Sequence, residues 1–376
     1  MEKGTGRKTT LETRPRMDGG AGDEASARAT LAIGIDLGTS RAAISAGNGE
    51  RRFVESIVGW PRDPLAARMH EAPVLFGREA LENRLSLRLY RPLEKGVLKT
   101  TDGAASGTLA EEFLSDPEGN FRAARELLRH LVSLGQPKRD ERLYGVLAVP
   151  AQASVESKKA LLEVAAECLD RVLVVSQPFA VAYGIGALDG ALIVDIGAGT
   201  TDLCRMHGSL PAPDDQLTIP AAGDAVDELL LTRIRARHPR AQVTITMAKD
   251  LKERSSSLVD GKDRITARFP VEGVPTDLDV TEEIHAACGI LVDPIVESIR
   301  TLIATYHPEF QDRLRGNVVL SGGGSLLPGL ASRVEQKLAG FGGGHVSCVR
   351  DPLFAGADGA LRLAAEMPLE YWDRVG

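Results

Sequence analysis

The sequence predicts an α/β protein made of two similar lobes that face each other across a cleft. The main observation is a repeated pattern: residues 31–43 read LAIGIDLGTSRAA and residues 191–203 read ALIVDIGAGTTDL. Each segment is an apolar strand that ends in an aspartate, Asp36 or Asp195, and then turns through glycine and threonine. A chain of 376 residues is also too long for one typical hydrophobic core. We therefore expect a tandem duplication of one α/β unit.

The first unit begins with three antiparallel strands, of which the second and third are joined by the tight turn GNGE at 47–50. A helix is indicated where leucines recur at helical spacing around Leu127 and Leu131. Pro178 opens a further helix, because the first helical turn needs no N–H from proline. The predicted strands are 31–38, 41–46, 51–59, 143–150 and 171–175, and the predicted helices are 121–135, 154–169 and 178–188.

The second unit repeats this order of three strands followed by alternating helices and strands. The turn HGS at 207–209 indicates a hairpin between its second and third strands. The predicted strands are 191–197, 202–206 and 215–220, with a strand and turn at 316–324, and the predicted helices are 223–238, 283–306 and 327–340. Paired lobes of this kind bring their first turns to one place in the cleft.

The composition is that of an ordinary soluble globular protein and argues against a nucleic-acid-binding surface. Hydrophobic residues make up 43% and charged residues 26% of the chain. The net charge of −7 provides no basic face, and 4% aromatic residues leave few rings for stacking on bases. The four cysteines lie far apart without a CxxC pair, so we expect neither disulfides nor zinc, and a cytoplasmic location.

The N-terminal residues 1–30 are predicted to be a disordered extension. They mix both charges with glycine, threonine and alanine, and lack the apolar stretch of a signal peptide. Both an inert tail and a segment that contacts a filament or a membrane are compatible with this composition. No run of 18 apolar residues occurs in the sequence, so no transmembrane segment is predicted.

The two glycine and threonine turns are predicted to hold a phosphate chain from two sides. Glycine lets the backbone N–H groups approach closely, and the threonine and serine hydroxyls add donors. Two aspartates pointed into such a site would repel the ligand unless a cation intervened, and Mg²⁺ binds through one or two carboxylates together with phosphate oxygens. Each turn alone reads equally as a simple strand end, but their repetition favours phosphate. The candidate residues are Asp36 and Asp195 for Mg²⁺, Gly38, Thr39 and Ser40 in the first loop (38–40), and Gly197, Gly199, Thr200 and Thr201 in the second loop (197–201).

A third loop, residues 322–325, also follows an apolar strand. Gly322, Gly323 and Gly324 would let a flat base or a ribose lie against bare backbone. A plain turn from strand to helix is an equally good interpretation. Neither a Walker A motif nor the complete dinucleotide fingerprint occurs, and Leu327 stands where a nucleophile elbow needs glycine.

The strings IGIDLGTS, LIVDIGAGTTD and VVLSGGGSLLPG resemble, in order and spacing, the two phosphate motifs and the adenosine motif of the actin and Hsp70 superfamily. The likeness covers nearly the whole chain from Leu31 onward. Within the superfamily the chain is most similar to the bacterial actin-like filament ATPases of the MreB and MamK group. The segments ESIVGWPRD and DPLFAGADGALRLA resemble the MamK branch in particular.

This resemblance implies an actin-like fold, with two ribonuclease-H-like lobes, a nucleotide cleft and a small subdomain inserted in each lobe. It implies binding of ATP or ADP with Mg²⁺, polymerisation of the chain with itself, and a cytoskeletal ATPase that positions organelles or other cell components. A cargo or adaptor protein is compatible with this resemblance, but the sequence does not identify it. The expected units are lobe I at 31–187 with an insertion at about 63–115, lobe II at 188–352 with an insertion at about 230–281, and a C-terminal segment, 353–376, that returns to lobe I.

The resemblance also nominates site residues. VSQPFAVAYG matches the helix whose first turn presents the water-positioning residue, here Gln177, and Asp195 is carried over as the second catalytic residue. Bacterial relatives often have Glu at the position of Gln177, whereas eukaryotic actin has Gln, which orients water through its carbonyl. The alternative is that Gln177 only caps its helix. The remaining nominations are Lys252 and Glu253 at the adenine pocket, which also read as a solvated helix face, Gly223 with Asp224 on the ribose side, and Ser325 in the third loop.

Two other classes share this fold. A chaperone ATPase of the Hsp70 kind needs a further substrate-binding domain. We do not expect one here, because few residues follow the last predicted helix. A small-molecule kinase needs a second pocket with a base near the γ-phosphate, and the scattered histidines, such as His130, His207 and His285, form no such group.

Overall fold

We analysed a computed structural model of the chain, which describes residues 28–95, 97–99, 112–259 and 264–375. The predicted disordered extension lies outside the described residues, except for its last three. The strands are β1 (Thr30–Leu37), β2 (Arg41–Ala46), β3 (Arg51–Glu55), β4 (Val58–Pro61), β5 (Leu75–Phe76), β6 (Leu87–Tyr90), β7 (Leu93–Glu94), β8 (Val97–Leu98), β9 (Arg142–Val149), β10 (Arg171–Ser176), β11 (Asp189–Ile196), β12 (Thr201–His207), β13 (Gln216–Ile219), β14 (Thr266–Val271), β15 (Val274–Asp279), β16 (Val318–Ser321) and β17 (Val346–Cys348).

The helices are α1 (Pro64–Met69), α2 (Gly77–Glu82), α3 (Pro117–Leu134), α4 (Val155–Ala165), α5 (Gln177–Ile185), α6 (Gly223–Arg237), α7 (Ile245–Ser255), α8 (Thr281–Gly289), α9 (Val292–Ala304), α10 (Pro308–Arg315), α11 (Leu330–Leu338), α12 (Ala355–Glu366) and α13 (Leu369–Val375). Short 3₁₀ helices are formed by Pro213–Asp215, Gly323–Leu326 and Ala339–Phe341. Helix α3 begins earlier than the leucine pattern alone indicates, because the Asp116 side chain caps it and Pro117 occupies its first turn.

Each lobe contains one five-stranded sheet, and the two sheets have the same topology. The strand orders are β10-β9-β1-β2-β3 and β13-β12-β11-β16-β17. In each sheet the first strand of the unit runs antiparallel to the next strand and parallel to a strand that follows later in the chain. If the five strands of each sheet are numbered in chain order, the two sheets have the same strand order, written here from opposite edges. This confirms the predicted α/β fold and its duplication.

Helices α5 and α12 lie side by side between the two sheets. The apolar side of α5, with Phe179 and Val181, packs against strands β11 and β12 of the second sheet. Helix α12 packs against α5 and against β1 and β9 of the first sheet. The two helices touch backbone to backbone, since a Cβ atom on Gly359 would lie 1.8 Å from the carbonyl oxygen of Ala180. This contact fixes α5, and with it the position of Gln177 at its first turn.

Two predicted elements are each split in the structure. The predicted strand 51–59 is β3 and β4, because Ser56 turns the chain back to the first loop: its N–H donates to the carbonyl of Ser40 at 2.9 Å and its hydroxyl to the carbonyl of Gly38 at 2.7 Å. The predicted helix 283–306 is α8 and α9. Gly289 ends α8, and Pro294 occupies the first turn of α9, where its missing N–H has no consequence.

Both predicted insertions contain structure of their own. In lobe I, β4, β5 and β6 form a three-stranded sheet with α1 and α2 beside it, and this sheet begins at Val58, before the predicted start near Asp63. In lobe II, β14 and β15 form a hairpin that follows α7. The C-terminal helix α13 returns to lobe I, where the fully buried ring of Trp372 lies against Tyr144. The numerical domain boundaries stay predictions.

Candidate functional site

A cavity of about 470 Å³ lies between the two lobes, which is within the range of small-molecule sites. It is lined from lobe I by the first loop and the start of α5, and from lobe II by the second and third loops, the start of α6 and one face of α7. The predicted site residues that line it are Asp36, Gly38, Thr39, Ser40, Gln177, Asp195, Gly197, Gly199, Thr200, Gly223, Asp224, Lys252, Glu253, Gly322, Gly323 and Gly324. The fold therefore brings together segments that are far apart in the sequence.

Two predicted site residues, Thr201 and Ser325, do not line this cavity. Thr201 is fully buried, and its hydroxyl donates to the carbonyl of Ala221 at 2.6 Å. The hydroxyl of Ser325 donates to the carbonyl of Gly322 at 2.7 Å. Both hydroxyls donate to backbone carbonyls and so stabilise the conformation of their loops. The structure therefore does not place the side chains of Thr201 and Ser325 against the cavity.

The first and second loops meet across the cleft at Gly199. A Cβ atom at this position would lie 2.5 Å from the hydroxyl oxygen of Thr39 and 2.8 Å from the Cα atom of Lys95. Position 199 therefore accepts only glycine while the lobes are in this arrangement. In the third loop, Gly322 has a φ of +74°, and a Cβ atom there would lie 2.5 Å from the carbonyl oxygen of Ile196.

The carboxyl groups of Asp36 and Asp195 both line the cavity. Burial raises the pKa of Asp195 to about 8, and repulsion by Asp36 and Asp202 adds to this shift. Burial also raises the pKa of Asp36 to about 6, although the hydrogen bond from Gln177 opposes the shift. The surrounding protein groups therefore do not fully stabilise the charged forms of these two carboxyl groups near neutral pH.

A third carboxyl group, Asp202, belongs to this cluster and was missed by the sequence analysis. Its side chain is 1% exposed and accepts hydrogen bonds from the Thr200 and Thr218 hydroxyls at 2.8 and 2.6 Å. It also accepts the backbone N–H of Ala151, in lobe I, at 2.8 Å. Asp202 thus connects the second loop to the opposite lobe. The available signal was a carboxylate directly after the second loop, at the start of the strand 201–207.

Gln177 lies at the first position of α5 and is 7% exposed. Its amide nitrogen donates to Oδ1 of Asp36 at 2.7 Å. The alternative that its side chain caps α5 is wrong, because α5 has no side-chain cap. Because the amide nitrogen of Gln177 is engaged in the hydrogen bond to Asp36, its carbonyl oxygen is the group able to accept a hydrogen bond in the cavity.

Several polar contacts cross the cleft between lobe I and the start of α6 or helix α7. Arg91 donates to both carboxylate oxygens of Asp224, at 2.8 and 3.0 Å, and to the carbonyl of Thr39 at 3.0 Å. Arg41 pairs with Glu253 at 2.8 Å. The ammonium group of Lys249 donates to the hydroxyl of Ser40 at 2.6 Å. Of these contacts, the pairs Arg91–Asp224, Arg41–Glu253 and Lys249–Ser40 connect lobe I to lobe II across the cleft.

Lys252 and Asp227 form the inner wall on the side of lobe II. The Lys252 ammonium pairs with Asp227 at 2.8 Å and donates to the carbonyl of Gly223 at 2.9 Å. Burial raises the pKa of Asp227 to about 6, while Lys252 opposes this shift. The alternative that Lys252 lies on a solvated helix face is therefore wrong. Arg91, Asp227 and Lys249 were not predicted, although Lys249 precedes Lys252 by one helical turn and so shares its face.

Within the described residues, no cluster of three His, Cys, Asp or Glu side chains is arranged as a complete set of metal ligands. Among the described helices, none combines the length and the hydropathy needed to cross a membrane.

Comparison with known proteins gives consistent matches. The family model of the MreB/Mbl protein matches residues 118–369. The actin-like protein MamK of Paramagnetospirillum magneticum is 40% identical over 353 residues, which cover 94% of this chain and 97% of that protein. A structure of the MamK double helical filament superposes with a TM-score of 0.83 at 40% identity, over 90% of this chain and all of that chain. A non-polymerising MamK mutant bound to AMPPNP superposes with a TM-score of 0.66 at the same identity and coverage.

Proposed function

The chain belongs to the MreB/Mbl family of actin-like proteins, and we propose that it binds ATP with Mg²⁺ in the cleft between its lobes, assembles into filaments and hydrolyses the bound ATP. Two solved relatives support the first two parts of this proposal: one is a filament and another carries AMPPNP, a nucleotide. Filament turnover driven by hydrolysis would serve to position organelles or other cell components.

The observation that carries the proposal is the meeting of the two duplicated loops at one end of the cavity. The first loop supplies Thr39 and Ser40, and the second supplies Thr200 with the glycines on either side of Ala198. Backbone N–H groups of both loops and the hydroxyls of the first loop then surround the same space, which suits a phosphate chain, while the Thr200 hydroxyl donates to Asp202. A ligand held by both loops also fixes the distance between the lobes, so that nucleotide binding and lobe closure are coupled.

The two aspartates that line the cavity fit Mg²⁺. Asp195 is buried and Asp36 is half-buried, both have raised pKa values, and within the described residues no cation is among their hydrogen-bond partners. A divalent cation bound near them relieves their repulsion and neutralises the charge of the phosphates. The absence of a complete ligand set among the described residues agrees with binding through phosphate oxygens and water. In the proposed mechanism Asp36 and Asp195 would hold the ion through water, and the ion would stabilise the charge of the phosphates.

Gln177 is the proposed water-positioning residue. Its amide nitrogen donates to Asp36, which restricts the rotation of the amide plane, and the residue lines the cavity. A water that donates to this oxygen is oriented for attack in line with the leaving group, as in GTPases that use glutamine. A glutamine cannot take up the proton of the water, so positioning is the whole of its contribution.

The experiment that tests the proposal is sedimentation of the purified full chain with and without ATP and Mg²⁺, with phosphate release measured on the same samples. We expect polymer only with the nucleotide and steady phosphate release from it. A chain that hydrolyses ATP but never sediments would favour the chaperone or kinase classes. A chain that neither binds ATP nor sediments would contradict the proposal.

A further inference from the structure

Lys249 is a cation in the cleft that the proposed mechanism does not use. It lies on helix α7, half-buried, and lines the cavity together with Lys252, which follows it by one helical turn. The cap of α7, in which Thr244 accepts the N–H of Met247, fixes the first turn of the helix immediately before Lys249. The position of Lys249 is thus determined by a regular, capped helix rather than by a loop.

The other cations near the first loop are already paired with carboxylates. Arg91 is bound by Asp224, Arg41 by Glu253, and Lys252 by Asp227. Among the described residues, no carboxylate lies within ion-pair distance of the Lys249 ammonium, which donates to the hydroxyl of Ser40 at 2.6 Å. Asp227 and Glu253 attract this ammonium from a longer distance, whereas Arg91 and Arg41 repel it. A neutral hydroxyl does not compensate a charge in a partly buried site. Lys249 is therefore an ammonium group without a directly paired carboxylate among the described residues, and it lines the cavity.

The distance to Ser40 places this ammonium at the phosphate chain. Ser40 belongs to the first loop, and a phosphate oxygen that accepts its hydroxyl would lie about 2.7 Å from Oγ. Such an oxygen is then about 5 Å or less from the Lys249 nitrogen before the lysine side chain moves. Four flexible methylenes allow the ammonium to close that gap.

We propose that Lys249 binds the phosphate chain of the nucleotide, and that this contact makes the cleft discriminate nucleotides by the number of their phosphates. The proposal rests on the proposed function, because it needs a nucleotide in the cavity. Since Ser40 belongs to lobe I and α7 to lobe II, a phosphate bound by both residues also ties the inserted part of lobe II to the first loop.

The test is calorimetric titration of AMP, ADP and ATP, each with Mg²⁺, into the full-length wild type and Lys249→Gln. Glutamine retains a polar contact to Ser40 but removes the charge. A charge-assisted hydrogen bond to phosphate predicts that ATP affinity falls about 10- to 100-fold, ADP affinity falls less, and AMP affinity stays within about 2-fold. Lys249→Arg, which keeps the charge, should recover most of the ATP affinity.

The control variant is Lys159→Met, which removes one positive charge from the exposed face of α4, away from the cleft. It should bind all three nucleotides like the wild type. Equal losses for AMP, ADP and ATP in Lys249→Gln, or no loss at all, would overturn the phosphate contact while leaving the proposed function intact. Failure of the wild type itself to bind ATP would instead overturn the proposed function. If Lys249→Gln does not fold, the comparison of Lys249→Met with Lys249→Arg gives the same decision.

Discussion

The amide nitrogen of Gln177 donates to Oδ1 of Asp36 at 2.7 Å, and this hydrogen bond joins the proposed water-positioning residue to the proposed metal-binding carboxylate. A glutamate at position 177 could not donate this bond and would add a further negative charge to Asp36, Asp195 and Asp202. Glutamine therefore suits a cleft that already holds three carboxyl groups with raised pKa values.

Replacement of Gln177 by alanine should separate assembly from hydrolysis. Gln177→Ala should bind ATP and sediment as polymer, because the loops that hold the phosphates are unchanged. Loss of water positioning should slow phosphate release by about 10²- to 10⁴-fold, and the filaments should outlast those of the wild type. Sedimentation and phosphate release measured in parallel check this. Phosphate release at the wild-type rate from Gln177→Ala polymer would show that another residue holds the water.

Replacement of Asp195 by alanine should abolish Mg²⁺-dependent ATP turnover while the chain stays folded. The side chain is buried in a cluster of like charges, so its removal relieves repulsion. Turnover as a function of Mg²⁺ concentration, together with a thermal melt, is the measurement. Unchanged turnover in Asp195→Ala would remove this residue from the proposed metal site.

The stability of the nucleotide-free chain should fall as the pH rises from about 5 to about 8. The pKa of Asp195 is raised to about 8 and that of Asp36 to about 6 in the folded state, against an ordinary aspartate pKa of 3.8. The folded state thus binds more protons than the unfolded state in this window, so its stability decreases with pH, by up to about 1.4 kcal/mol per pH unit for each proton. This contribution is complete below the unfolded pKa and lost above the folded pKa.

Asp195→Asn should flatten that dependence and melt at a higher temperature than the wild type at pH 8. The control is Asp140→Asn, which removes an exposed carboxylate outside the cleft and should follow the wild-type curve. Thermal melts between pH 5 and pH 9 without nucleotide decide the matter. An identical pH dependence in wild type and Asp195→Asn would contradict the raised pKa of this group.

The side chain of valine at position 199 should keep the two loops apart. Gly199→Val would place a Cβ atom 2.5 Å from the Thr39 hydroxyl and 2.8 Å from the Lys95 backbone, so the lobes could not close as they do here. We expect weak nucleotide binding and no sedimentation with ATP. Normal polymer from Gly199→Val would show that closure of the loops is not required for assembly.

The ion pair of Arg91 with Asp224 should favour the assembled state. The chain superposes better on a MamK filament, with a TM-score of 0.83, than on a non-polymerising mutant, with 0.66, and this ion pair crosses the cleft. Arg91→Met leaves Asp224 and the Thr39 carbonyl without their donor and should cost roughly 3 kcal/mol of closure. The protein concentration needed for sedimentation should therefore rise. Arg52→Met, at an exposed ion pair, is the control and should not change it.

The sequence predicted the fold and the inner part of the site because both depend on local, repeated signals. A strand that ends in aspartate and turns through glycine can be recognised from a few residues. Its second occurrence in the chain predicted the duplication. The break at Ser56 could not be read, because it depends on hydrogen bonds to Gly38 and Ser40 that exist only after β1, β2 and β3 have paired.

The partners of Asp224 and Glu253 across the cleft were missed for a related reason, although these two carboxylates were themselves predicted as site residues. Arg91 and Asp224 are distant in sequence, and nothing in either local pattern identifies the other as its partner. Of the adjacent residues Thr201 and Asp202, the sequence analysis chose Thr201 for the site and passed over Asp202. Adjacent residues in a strand point to opposite faces, so only one of the two can reach the cleft. Asp202 reaches the cluster in the cleft, whereas the Thr201 hydroxyl bonds to the backbone behind it.

The central claim, that one cleft couples nucleotide binding to assembly, is tested most directly by sedimentation of the wild-type chain with ATP, with AMPPNP and without nucleotide, all with Mg²⁺. The account predicts polymer with both nucleotides, phosphate release only with ATP, and longer-lived polymer with AMPPNP. Equal sedimentation in all three samples, or none in any of them, would contradict it.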